Sequence, residues 1–270
     1  MRGLLTKSIR EVWVSTLIFG TGLLLILALL THILPQILEG LGSMLAQMPF
    51  VKMLITALLG TDIGDQLSAQ TMQGFLFVHP VVLSLVWAHE IVFCTRMPAG
   101  EIDRGTVDVL LGLPVSRRAV YLCESIVWLV SGMFILAMAL FGHWLASPAL
   151  LPEMRPALSR VMLVMLNLFC VYAAVGGIAF LVSSLSDRRG RAMAIVFGIV
   201  LTSFLLNFVA QFWEPAQQLS FLGVLHYYRP AMILSEGQLP TLDVTVLLVV
   251  AAVSWLIGGE VLARRSICTL

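Results

Sequence analysis

Charge is what this sequence has least of. Asp, Glu, Lys and Arg make up 11% of its 270 residues, and hydrophobic types make up 59%. A soluble domain carries about 25% charged residues. So few polar side chains cannot clothe a water-soluble globule, and the mean hydropathy of +0.98 points to lipid as the main solvent. The net charge is +1. That excludes a global field for gathering nucleic acid, and no RNA- or DNA-binding motif is present, so no nucleic-acid partner is expected. Cysteine is also sparse: Cys94, Cys123, Cys170 and Cys268, with no CxxC pair. No metal knuckle is formed by this spacing, and buried or free thiols are expected rather than a disulfide framework. GxxxxGK[ST] is missing, so the chain does not bind and hydrolyse ATP by that route. The first apolar run is longer than the roughly 7–15 residues of a signal peptide, and no small-residue cleavage site follows. It is expected to remain as a helix.

Long apolar runs are what the sequence has instead. A helix crossing about 30 Å of hydrocarbon needs roughly 20 mainly apolar residues. Six stretches qualify, at about 14–34, 72–94, 119–146, 159–185, 192–213 and 242–263. They are continuous runs rather than the roughly ten-residue alternating segments of a barrel. The fold expected is an all-α integral membrane protein with six transmembrane helices in a single domain, 1–270. The distribution of basic residues orients it. With the N-terminus inside, only Lys52, Arg155, Arg160 and Arg229 of the 16 basic residues fall outside. Both termini are therefore expected in the cytoplasm, and the expected location is a bacterial plasma or inner membrane. Trp144 and Trp213 would then mark the outer ends of spans three and five.

Shorter amphipathic pieces surround the spans. Leu4, Leu5, Ile9, Val12 and Trp13 recur at near-helical spacing around Lys7, Arg10 and Glu11. This is either a short helix in the cytoplasmic interface or a plain extension of span one. Between spans one and two, 35–71 carries Ile37, Leu38, Leu41, Met44, Leu45 and Met48 on one helical face, then a second apolar stretch at 49–60. Both are expected to lie against the outer surface. Segment 214–241 is expected to form one interfacial helix and a loop.

The most informative stretch joins spans two and three: Glu101-Ile-Asp103-Arg104-Gly105-Thr106-Val107-Asp108-Val109-Leu110-Leu111-Gly112-Leu113-Pro114-Val115-Ser116-Arg117-Arg118. It has an acidic entry, a glycine that allows a tight turn, and a threonine able to cap a helix. Val107, Leu110 and Leu111 form an apolar face, and Gly112 and Pro114 stop the helix. A short helix lying parallel to the membrane can dock into a groove of another protein. With this loop after the second of six spans, the chain resembles the permease subunits of ABC-2 type transporters. The resemblance implies that the loop contains a coupling helix seated in a cleft of a separate ATPase subunit. It implies that Glu101, Asp103, Gly105, Thr106, Leu110, Leu111, Pro114 and Arg117 face or shape that contact. It further implies a second permease copy or a related permease, and ATP with Mg held by the ATPase rather than by this chain. One departure is visible. Family members often have Gly-Lys a few residues after the arginines, and this chain has Cys123-Glu124.

Charge at membrane depth costs a few kcal/mol or more, so each instance needs a reason. His89, Glu90, Glu124 and Glu260 lie near the inner ends of their spans. They are expected to snorkel or to pair with Arg96, Arg117 or Arg118, and Glu260 with Arg264 at i,i+4. Asn167 and Asn207 are more central and either glue helices together or line a pathway. Ala173 and Gly177 form a small-xxx-small pair that admits a close neighbour, within the subunit or across a dimer. His89-Glu90 begins like HExxH, but Phe93 stands where the second histidine belongs. No nucleophile, base and acid converge, so catalysis by this chain is not expected. An intramembrane enzyme or maturation factor would require convergent polar groups deep in the bundle. An ATP-independent secondary transporter would show discontinuous midplane helices or an inverted repeat. Neither pattern is present.

Overall fold

The computed structural model describes residues 2–45, 69–108, 112 and 114–266, with side-chain surroundings for 2–34 and, within the later segments, from Gln73 onward. It is helical throughout, with no strand among the described residues. Six helical stretches are long and apolar enough to cross a membrane: Arg2–Leu34, Gln73–Cys94, Arg117–Ala149, Pro152–Leu185, Arg189–Val209 and Thr241–Arg264. Each matches one of the expected spans. The chain is a multi-pass membrane protein.

Helix α1 covers Arg2–Leu45 without a break. The amphipathic start is therefore an extension of span one, not a separate helix turned into the interface. At the other end, α1 runs through Pro35 to Leu45, eleven residues further than the expected span. The stretch expected at 49–60 falls outside the described residues. Span two consists of α2, Ala69–Val78, and α3, Pro80–Cys94. Pro80 cannot donate a backbone N–H and so cannot continue a helix from the preceding turn. It opens α3, while the His79 Nδ1 accepts from Val81 N at 3.3 Å. Span three is α4, Arg117–Ala146, capped by the Ser116 hydroxyl, which accepts from Ala119 N at 3.1 Å. Helix α5, Leu158–Leu185, and α6, Arg189–Val209, form spans four and five.

The crossover after α6 holds two short helices rather than one: α7, Glu214–Leu219, and α8, Pro230–Glu236. It is not a surface strap. Leu225, Tyr228, Ala231, Ile233 and Leu234 are buried, α8 packs against α2, and the Tyr228 hydroxyl donates to Phe77 O at 3.2 Å. Helix α9, Thr241–Arg264, closes the bundle.

Two helix pairs dominate the packing, α1 along α4 and α5 along α9. Helix α5 is the central element: 72% of its apolar window is buried, against 17% for α9 and 22% for α6. The small-residue run explains that position. A Cβ on Gly177 would sit 2.6 Å from Ala251 O of α9, and one on Gly176 would sit 2.0 Å from the Trp128 ring of α4. The small-xxx-small pair thus serves contacts inside the subunit. It lets backbones and rings approach where water gives no hydrophobic drive for helices to associate.

Candidate functional site: the basic end of the bundle

Arginines gather at one end of the six helices, and one of them organises the site. Arg96 directly follows Thr95, the C-cap of α3, and opens a kinked turn, Arg96–Gly100, with Met97 extended and Gly100 N donating to Thr95 O at 3.1 Å. It is buried. Its Nη1 pairs with Glu11 of α1, and its Nη2 with Glu124 of α4. The same Nη2 donates to Ser8 Oγ at 2.9 Å, and Ser8 donates to Glu124 at 3.0 Å. The guanidinium also lies 5.5 Å from the centre of the Phe93 ring, a cation–π distance. Three elements are joined through one planar fork, which suits a residue with five fixed donors.

The network continues into the segment joining spans two and three. Glu101 is buried and pairs with Arg104 at 2.9 Å and with Lys7 at 3.8 Å. Lys7 also meets Glu11 at 3.3 Å, one turn along α1. Glu11, Glu101 and Glu124 thus face Lys7, Arg96 and Arg104, a charge-balanced set at the membrane boundary. Backbone contacts fix the turn from beneath. Ala99 N donates to Ser183 Oγ of α5 at 3.2 Å, and Arg189 of α6 donates to Val92 O at 2.9 Å.

The eight residues expected at the coupling contact divide by position. Asp103, Gly105, Thr106 and Pro114 are exposed. Gly105 has φ +68°, the left-handed conformation that glycine adopts without penalty, and it turns the chain after Arg104. Glu101 is turned inward, as described. Arg117 is half-buried and donates to Leu262 O at 3.3 Å and to Arg265 O, tying α4 to the end of α9. Leu110 and Leu111 lie outside the described residues. The Thr106 hydroxyl does not cap the turn that follows it; it donates back to Glu101 Oε2. Val107 is buried, and Gly112 N donates to Asp108 O at 2.8 Å.

A second clamp closes the same end. Arg265 donates to Ser184 O at 2.8 Å, to Ser186 O at 3.2 Å and to Asp187, between α5 and α6. Glu260 pairs with Arg264 as its i,i+4 spacing predicts, and also with Arg118 at 2.8 Å.

Of the four titratable groups expected to snorkel or pair, Glu124 and Glu260 do so. His89 and Glu90 do not. His89 is buried, its Nδ1 3.2 Å from the Tyr172 hydroxyl, between Phe19 and Phe93. Glu90 is fully buried, neither oxygen has a hydrogen-bond partner among the described residues, and Oε1 lies against Gly176. The reason is rotational position on α3: both side chains face α5 rather than the rim, where the arginines are. The asparagines also separate. Asn167 is fully buried and acts as glue, donating to Tyr227 O and accepting from Arg229 N, each at 3.3 Å. Asn207 lines a cavity at the opposite end.

Sequence reasoning named Arg96 only as one possible partner for Glu124 and missed Ser8, Lys7 and Glu11. The signal was present: a carboxylate one to two turns inside span three requires a cation. Cys94, Cys123 and Cys170 are buried free thiols. Among the described residues no group of His, Cys, Asp and Glu is placed to hold a metal ion.

No curated protein matches the chain. A family model, that of the ABC-2 family transporter proteins, matches residues 5–258. That match covers most of the chain and reaches into all six crossing helices, so the chain belongs to the ABC-2 family transporter proteins, membrane permeases of ABC-type transport.

Proposed function

We propose that this chain is the permease subunit of an ABC transporter and that a separate ATP-hydrolysing subunit drives it by docking on the exposed face formed by Asp103, Gly105, Thr106 and Pro114. The basic end then faces the cytoplasm of a bacterial plasma membrane, as the basic-residue bias requires. The substrate pathway is completed by a second permease, identical or related, and the chemistry of ATP and Mg stays in the partner. The single permease domain performs no catalysis of its own.

One observation carries the reading. The loop between spans two and three is exposed at its tip yet anchored at its root by Arg96, Glu101, Ala99 N and Arg189 to α1, α4, α5 and α6. A push on such a loop is delivered to four helices instead of being lost in a flexible connector. Copurification tests it: the detergent-solubilised chain should carry an ATPase. Leu110→Asp with Leu111→Asp should release that partner while leaving the permease folded. Retention of the partner by this double variant overturns the docking assignment.

A further inference from the structure

A cavity of about 230 Å³ opens at the end of the bundle opposite the basic end. It lies between the start of α3, the last turns of α6 and the crossover through α7. Pockets that take drug-sized ligands are roughly 300–1,000 Å³, so this smaller cavity suits a small polar group. Asn207, Gln211, Gln217, His226 and Arg229 line it, and among the described residues no carboxylate does. None of the Asn207, Gln211, Gln217 and His226 side chains makes a hydrogen bond among the described residues. The Arg229 guanidinium is held only at Nε, by Asp243 Oδ2 at 3.0 Å. Its backbone N–H is fixed by Asn167, so the loop presents this cation in one place. Burial first, then the neighbouring Arg229, hold the His226 imidazole below its ordinary value. His226 is thus an uncharged ring near neutrality, able to donate from one nitrogen.

We propose that this cavity binds a phosphate-type oxyanion, carried by a phospholipid headgroup or by a soluble phosphate ester. Four groups able to donate hydrogen bonds and one guanidinium with free N–H groups, converging without an acid in the lining, complement three anionic oxygens. Asp243 stands behind Arg229 and orients it. Leu83 and Phe204 are among its apolar lining residues. The lining segments continue into Phe212, Trp213, Phe221 and Leu222, which are exposed apolar side chains at the same end. An amphipathic ligand would place its anion in the cavity and its tail on these residues. The inference does not depend on the ATPase partner.

The test uses the full chain purified in a maltoside detergent and titrated with phosphatidic acid, diacylglycerol and glycerol 3-phosphate, read by native mass spectrometry. Phosphatidic acid should bind and diacylglycerol should not. Arg229→Gln should weaken binding about tenfold, the size of one charge-assisted contact. Gln211→Leu, at an exposed position, should weaken it severalfold. Asp243→Asn should tighten it, because the competing acid is gone. Lipid bound by the arginines at the basic end is unaffected by these changes, so the difference between variants isolates the cavity. If glycerol 3-phosphate binds equally well and with the same variant pattern, the anion site stands with a soluble source. Equal binding of diacylglycerol, or unchanged affinity in both Arg229→Gln and Gln211→Leu, overturns it. So does weaker binding in Asp243→Asn if that variant retains the thermal stability of the wild type.

Discussion

The two ends of this bundle are held together by different chemistry. At the basic end, charge pairs with charge: Arg96 with Glu11 and Glu124, Lys7 with Glu101, Arg265 with Asp187. At the other end, side chains mostly address backbone. Asn167 holds Tyr227 and Arg229, Tyr228 holds Phe77, and Arg160 donates to Leu234 O at 2.6 Å and Ser235 O at 3.0 Å. A neutral hydrogen bond fixes a loop with a net gain of about 1 kcal/mol. An ion pair taken out of water is a different device: its net value is small, but losing one partner strands the other. The basic end is therefore the one whose integrity depends on complete pairing. The opposite end is a set of independent latches.

The largest predicted effect breaks the hub. Arg96→Met strands Glu124 and should cost about 3–5 kcal/mol, as for other buried pairs that lose one partner. Thermal unfolding in detergent should show it, and Arg96→Met with Glu124→Met should regain most of the loss. If the double variant is no better than the single, the pairing account of this end is wrong. Next comes Gly177→Leu, which belongs to neither end. Overpacking against Ala251 O should cost about 1–3 kcal/mol, and because the effect is steric it should not depend on salt. Asn167→Leu should cost about 2 kcal/mol by leaving Tyr227 O and Arg229 N unpaired. Its effect should be equally insensitive to salt, whereas raising ionic strength should loosen the exposed pairs at the basic end. A salt-sensitive Asn167→Leu defect would erase the contrast between the ends. The smallest effect is expected from Glu260→Gln. Its pairs with Arg118 and Arg264 are exposed, and the midpoint of unfolding should hardly move.

Much of the architecture was legible because lipid imposes a length rule on apolar runs. Arg117–Ala146 and Leu158–Leu185 fall within two residues of their expected limits for that reason. Hydropathy was less able to place the pieces between spans. Segment 214–241 reads as an interfacial helix and a loop, its apolar residues broken by Pro215, Gly223 and Pro230. Those breaks instead let it fold inward and bury Tyr228 and Ile233. His89 and Glu90 show the same limit. Their distance from the span end is a matter of counting, but the helix face they occupy depends on which neighbour packs there.

The sequence by itself determined the solvent, the number of crossings and the position of the loop between spans two and three. These follow from local quantities: apolar run length, proline and glycine stops, and the placement of basic residues. Only the tertiary structure decided that α1 continues as one helix through residue 45, that Gly176 and Gly177 serve contacts within the subunit, and that Arg96 joins α1 to α4. Glu11 and Arg96 are 85 residues apart, and Ser8 and Glu124 are 116 apart. No local pattern records such pairings. They exist because a charge at a lipid boundary must find a partner, and the packing of helices selects which partner is within reach.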